Sequence, residues 1–340
     1  MIGQRTITNR GEMLARTIST VLQNRQNSRS FASSVTSAMV KQLRDKSNAP
    51  MMDCKKALAA EDGDMEKALS WLRTRGVAKI AGAQGRVSSE GLVCLATSEK
   101  FVTLLELNSE TDFVAMNKDF QNFMLTVSAT ISEKYATTKG PIAVEELLSA
   151  SVPGSSKTVQ DHLDDLVSII REKILIKRAE NFSGGVLAGY VHGKVGTEHV
   201  PAHVQLGKQA VVVSIDVDSD DIGVLEKVQE MGKRLAMHTA AAKPKYLSVK
   251  EVPQDVLDSE MAIFREQVKD DIGKKKPEII EKIIQGKLKK RMSELTLLGQ
   301  AHMVEEGGPE VEKFIKSMSS SLKTPISVAS FAYWQVGDNS

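Results

Sequence analysis

Phe101-Val102-Thr103-Leu104-Leu105-Glu106-Leu107-Asn108-Ser109-Glu110-Thr111-Asp112-Phe113-Val114-Ala115-Met116-Asn117-Lys118-Asp119-Phe120 holds a strand, a turn and the entry to a helix. The first seven residues are β-rich and stop at a polar, turn-prone link, Asn108-Ser109-Glu110. From Phe120 onward, Phe123, Met124, Val127 and Ile131 recur at the spacing of one helix face. Asn117 suits the N-cap of that helix, because its side-chain oxygen can accept from an orphan backbone N–H. The link sets an acid and an aromatic, Asp112 and Phe113, side by side on a short loop between rigid elements. Such loops are where proteins present groups to partners. Periodicity by itself leaves a second placement open, with Phe113 folded back beneath the helix and Asp112 a turn former.

The same order recurs along the chain. Residues 91–97 and 101–107 form an expected hairpin ahead of the helix. Residues 185–192 and 210–217 form a second strand pair, followed by a helix from about Asp220 that aligns Leu225, Val228, Gly232, Leu235, Thr239 and Ala242. The repetition predicts an α+β protein with a duplicated core of small antiparallel sheets with helices. Between the copies, Val159, Leu163, Leu166, Val167, Ile170 and Ile174 mark a long helix. Residues 35–77 read as a three-helix bundle whose third helix is capped by Asp64 and ended by Gly76. Residues 78–90, with Gly82, Gly85, Ser88 and Ser89, read as a linker. The core then divides into 91–184 and 185–336, the second part carrying a helical hairpin insertion. One hairpin helix bears Leu257, Met261, Phe264 and Val268; the other bears Ile280, Ile283, Ile284 and Leu288, with Pro277 in its first turn. Residues 326–334 read as a last strand joining the second sheet.

Residues 1–34 differ in kind from the rest of the chain. They contain Arg5, Arg10, Arg16, Arg25 and Arg29, no lysine and a single acid, Glu12, among many Ser, Thr, Asn and Gln residues. This Arg-rich, hydroxyl-rich, acid-poor composition is that of an organelle transit peptide, and Arg29-Ser30-Phe31-Ala32-Ser33 suits a matrix-protease cleavage site. The expected location is the mitochondrial matrix, with a plastid address left open by composition alone and a merely disordered basic tail as the alternative reading. Without this segment the formal charge of +2 becomes about −2, which argues against the basic stripe of a nucleic-acid binder. No apolar run approaches the roughly 18 residues of a membrane span. Cys54 and Cys94 are too few for a disulfide framework or a zinc site of their own.

No catalytic constellation emerges. Gly189-Tyr190-Val191-His192-Gly193-Lys194 fails as a phosphate loop: three residues separate its glycines, and Val195 stands where Ser or Thr must reach magnesium. His192, His199 and His203 fall close together, but Pro201 breaks the helical spacing and no Cys or carboxylate arrangement completes a metal set. The expectation is a non-enzyme with no catalytic residue, no cofactor and no metal.

Two motifs carry a resemblance. Thr111-Asp112-Phe113-Val114 and Met51-Met52-Asp53-Cys54-Lys55-Lys56-Ala57-Leu58 are similar to elongation factor Ts, the guanine-nucleotide exchange factor of the GTPase elongation factor Tu. Ser109 and Met116 depart from the family pattern, which usually has a cysteine and a basic residue there. The resemblance runs from about residue 36 to about 336. It implies a ubiquitin-associated-type N-terminal bundle and a heterodimer with a mitochondrial elongation factor Tu, whose GDP release the chain would promote. It implies partner contacts at Thr111, Asp112, Phe113, Val114, Met51, Met52, Asp53 and His238, the last lying in Met237-His238-Thr239-Ala240-Ala241. A rival from another class is a ubiquitin-type binding adaptor that uses the bundle alone.

Overall fold

The computed structural model describes residues 35–47, 49–81, 87–195, 200–269, 276–303 and 308–338. The transit-peptide stretch and His199 lie outside the described residues. Among the described residues are ten α-helices and two antiparallel sheets, a mixed α+β protein. The chain divides into two compact units: residues 1–86 with 163–173, and residues 87–162 with 174–340.

In the first unit, α1 (Ser37–Ser47), α2 (Met51–Ala60) and α3 (Met65–Ala81) enclose Val40, Leu43, Cys54, Ala57, Leu58 and Ala68. Asp64 caps α3: its Oδ1 accepts from the amides of Glu66 and Lys67, both at 3.0 Å. Those bonds to the ionised carboxylate, the one from Lys67 first, hold its pKa below the ordinary 3.8. The α3 backbone continues through Gly76 to Ala81 instead of stopping at the glycine. A helix interior tolerates glycine at a cost of about 1 kcal/mol, so Gly76 is a weak stop signal. Arg73 and Asp165 form an ion pair at 2.6 Å that joins α3 to the 163–173 segment.

The second unit contains both sheets. β1 (Glu90–Thr97) and β2 (Val102–Ser109) form the expected hairpin, Leu92 opposite Leu107 and Cys94 opposite Leu105. The hairpin lies inside a five-stranded sheet ordered β3-β4-β2-β1-β6, with β3 Gly140–Ile142, β4 Leu175–Phe182 and β6 Val204–Gly207. A three-stranded sheet is ordered β5-β7-β8, with β5 Val186–His192, β7 Gln209–Val217 and β8 Ile326–Gln335. The second strand pair and the last strand thus pair as their alternation indicates. The copies are interleaved: β6, cut from between β5 and β7, pairs with β1 of the first sheet.

Val93, Leu95, Val102 and Leu104 of one sheet pack with Val191, Ala210, Val212 and Trp334 of the other. On its opposite face the first sheet is covered by α4 (Lys118–Lys134), whose Phe120, Met124, Val127 and Ile131 are fully buried. α7 (Ile222–Ala242) covers the second sheet, and Gly232 is required there, because a Cβ would fall 2.5 Å from that of Ala188. A buried carboxylate links the layers. Glu106 on β2 accepts from Arg178 Nε of β4 at 2.7 Å and from the Gly337 amide at 3.0 Å, and the Arg178 guanidinium lies 4.3 Å from the Trp334 ring centroid.

The long helix expected between the copies is shorter than its apolar pattern. α5 (Val144–Ser149) precedes it, and α6 (Val159–Ile170) ends where Arg171 takes φ +66°. Ile174 then leads into β4, which sequence patterning left unassigned. Ile176, Ala179 and Asn181 are buried, but the register skips the exposed Lys177 between Ile176 and Arg178 and so interrupts the alternation. Lys177, Arg178 and Glu180 also break the apolar run that usually signals a strand. The helical hairpin is α8 (Gln254–Gln267) and α9 (Pro277–Leu295), joined by Arg291–Glu260 at 2.9 Å and by Met292, Leu295 and Leu288 packed with Val252, Val256 and Leu257. α10 (Val311–Leu322) precedes β8. Burial pushes the Cys94 thiol up to about 12, so it stays an unreactive core group.

Candidate functional site

β2 ends at Ser109, and a single 3₁₀ turn, Asp112–Met116, bridges to Asn117 and α4. The turn divides its side chains. Val114 and Ala115 are buried at 5% and 1% exposure, while Phe113 is 83% and Met116 71% exposed, with Asp112 also at the surface. In a 3₁₀ turn residues three apart lie one above the other, so Phe113 and Met116 share the solvent face. The placement of Phe113 beneath the helix is not what the chain adopts. Val114, named with the partner contacts, faces inward and anchors the turn, so it is not available as surface.

Hydrogen bonds hold this turn at both ends. Ser109 Oγ donates to the Thr111 carbonyl at 2.9 Å, and the Asn117 amide donates to the Val114 carbonyl at 2.9 Å. Gln121, buried on the first turn of α4, donates from Nε2 to the Ala115 carbonyl at 2.9 Å. Asn117 caps α4 as its sequence position suggests, its Oδ1 accepting from the Asp119 amide at 2.7 Å. An apolar ring on a turn held at both ends is an unusual use of side-chain area. Large exposed aromatics of this kind are what a partner's pocket takes up.

His238 sits elsewhere, on α7, and is fully buried. Its Nδ1 accepts the Met303 amide proton at 3.1 Å, which puts the ring proton on Nε2, where it is shared with Gln300 Oε1 at 2.9 Å. His302 stacks on it at 5.5 Å, and Phe314 packs on His302 at 4.7 Å. His238, named with the partner contacts through the resemblance, borders the packed stripe by its spacing, and in the folded chain it is enclosed. What it exposes is its neighbour, Met303, at 62%. The sequence signal for burial was the stripe of Leu235 and Thr239 around it; Gln300 and His302 are far off in the chain and no local pattern links them to it.

Burial pushes the His238 pKa below its ordinary 6.5, and the nearby His302 lowers it further, against the bond to Gln300. Well above pH 6.5, folded and unfolded chains are both neutral at this ring. As the pH falls through 6.5, the unfolded chain takes up a proton that the folded one refuses. Stability therefore drops until the pH passes the lower folded value. The melting temperature should fall less between about pH 7.5 and about pH 5.5 in His238→Gln than in the native chain. Equal falls in both would remove His238 from the account.

In the other unit, Met51 and Met52 begin α2 with 53% and 63% of their surface exposed. Asp53 faces Arg171 at 3.8 Å, both half-exposed, a pair worth little in water. His192 meets the Tyr190 hydroxyl at 3.2 Å at the end of β5, and His203 precedes β6.

The exposed Phe113 turn lies near the start of a stretch, residues 110–338, that matches the family Elongation factor TS. The chain belongs to the elongation factor Ts family. It is 36% identical to elongation factor Ts of Rhodospirillum centenum over 306 residues, 89% of this chain and 93% of that protein. It is 37% identical to elongation factor Ts of Rhodospirillum rubrum over 308 residues, 89% and 93% of the two chains. Elongation factor Ts of Bartonella quintana is 37% identical over 310 residues, 90% and 94% of the two chains. Membership in the elongation factor Ts family makes this an elongation factor of protein biosynthesis. Within the family match, the exposed groups of the candidate turn are Asp112, Phe113 and Met116.

Proposed function

We propose that this chain is a guanine-nucleotide exchange factor that binds elongation factor Tu, in the mitochondrial matrix, and promotes GDP release. The observation that carries the reading is Phe113, 83% exposed on an anchored turn within the matched family region. Exchange is a linkage problem. The factor must hold the nucleotide-free GTPase more tightly than the GDP form, and nucleotide then weakens its hold by the same ratio. Each tenfold gain in release needs about 1.4 kcal/mol relative to the dissociation transition state. A rigid aromatic wedge that shifts a phosphate-binding element by an ångström or two acts on several phosphate contacts together. No covalent step is required of this chain's own residues, so the role is that of a non-enzymatic partner in a heterodimer.

Residues 35–77 form, in this reading, a ubiquitin-associated-like contact module, with Met51 and Met52 as its apolar points. Met51, Met52 and the Phe113 turn would divide the contact area between them. The ubiquitin-adaptor alternative gains nothing from a chain that belongs to the elongation factor Ts family. Stopped-flow release of labelled GDP from elongation factor Tu tests the function. Acceleration that saturates with this chain is expected, and release at the spontaneous rate would overturn the proposal.

The mitochondrial address rests on five arginines against one acid before residue 35. Protein recovered from mitochondria should begin between Ser30 and Thr36, and the shortened chain should exchange as fast as the full one. Recovery with Met1 still in place would refute the address.

A further inference from the structure

The turn that presents Phe113 is held by side chains that are themselves out of reach of any partner. Ser109 and Gln121 are buried, on β2 and on α4, and their hydrogen bonds end on the Thr111 and Ala115 carbonyls, one at each side of Phe113. Neither residue belongs to the set named for partner contact. A helix-borne amide that crosses back to a preceding turn costs burial of a polar group. That cost is met only while the bond is made, so the bond resists any yielding of the turn.

We infer that Gln121 is a positioning residue for exchange: it braces the Asp112–Met116 turn from behind, so that Phe113 displaces the partner instead of giving way. Ser109 braces the opposite end. The inference rests on the proposed exchange function, in which Phe113 is the wedge. While the turn is unloaded, the buried Val114 and Ala115 and the Asn117–Val114 backbone bond keep it in place. Under load, when the partner pushes back on Phe113, the Gln121 amide bears on the Ala115 carbonyl next to the wedge. The brace is thus felt in the transition state for GDP release more than in the docked complex. An interaction expressed only there changes the maximal rate and leaves half-saturation alone.

Gln121→Met keeps the length of the side chain and removes the donor. In stopped-flow GDP release with elongation factor Tu, it should lower the rate at saturating factor by about three- to tenfold, the range set by one net hydrogen bond. The concentration for half-saturation should stay within about twofold of the native value. In a Phe113→Ala background the same change should alter the remaining stimulated release by less than about 1.5-fold, because the braced group is gone and the two effects no longer add. Native release by Gln121→Met, or an equal fall in both backgrounds, would overturn the role. Should Gln121→Met lower the melting temperature by more than a few degrees, Ser109→Ala tests the brace at the other end by the same comparison. If Phe113→Ala alone leaves release at the native rate, the wedge reading itself fails, and that result is seen before any Gln121 variant is made.

Discussion

Phe113→Ala should slow elongation factor Tu-bound GDP release by roughly 30-fold or more at saturating factor, the scale of an interface hot spot of about 2 kcal/mol or above. The same protein should melt within about 2–4 °C of the native chain, since trimming an exposed side chain costs under about 1 kcal/mol. The reason is location. With 83% of its surface in solvent, the ring makes few contacts within its own chain, so its loss is felt in the complex with the partner. Asp112→Ala, at the neighbouring exposed position, should slow release by a similar or smaller factor. Native release rates in Phe113→Ala would sink the wedge mechanism while leaving family membership intact. A large fall in melting temperature would mean that the ring turns inward in solution.

The complementary experiment lies seven residues further on. Phe120 is fully buried at the start of α4, among Phe123, Met124 and Val127 of that helix. Phe120→Ala removes the ring from a packed core and should cost about 3–5 kcal/mol. A chemical or thermal melt would read this as a shift of roughly 10 °C or more at the few degrees expected per kcal/mol in a unit of this size. Exchange by the fraction still folded should remain near normal per folded molecule, provided that Val114 and Ala115 keep the turn in register. A Phe120→Ala chain with native stability but no exchange would reverse the roles assigned to the two rings, and with them the whole division between wedge and anchor.

These two phenylalanines also mark where sequence reasoning stops. The i, i+3, i+4, i+7 spacing that begins at Phe120 is a periodic signal, and it placed that ring in the core correctly. Phe113 precedes the helix, in a turn too short to have a period, and both placements satisfied local rules. Its exposure follows from Val114 and Ala115 taking the inward positions and from a bond to Gln121 on the next helix. His238 shows the opposite case. Family resemblance named it a partner contact and helical spacing set it at the border of the packed stripe, whereas the His302 and Gln300 that enclose it lie more than sixty residues away in the chain.

By itself the sequence determined the elements with strong local patterns. The β1–β2 hairpin, the β5, β7 and β8 pairings, the Asn117 cap with α4, and the α8–α9 hairpin all follow from alternation, helical spacing and turn chemistry. Those signals act over a few residues and survive whatever surrounds them. The tertiary structure alone decided what depends on distant partners. β6 joins the first sheet, although the chain reaches it between two strands of the second, because a four-residue strand has no pattern strong enough to choose its neighbour. β4 is a strand despite its charges, because Arg178 can bond to Glu106 on the adjacent strand. The side of the turn that meets solvent was settled in the same way, by which carbonyls a buried serine and glutamine could reach.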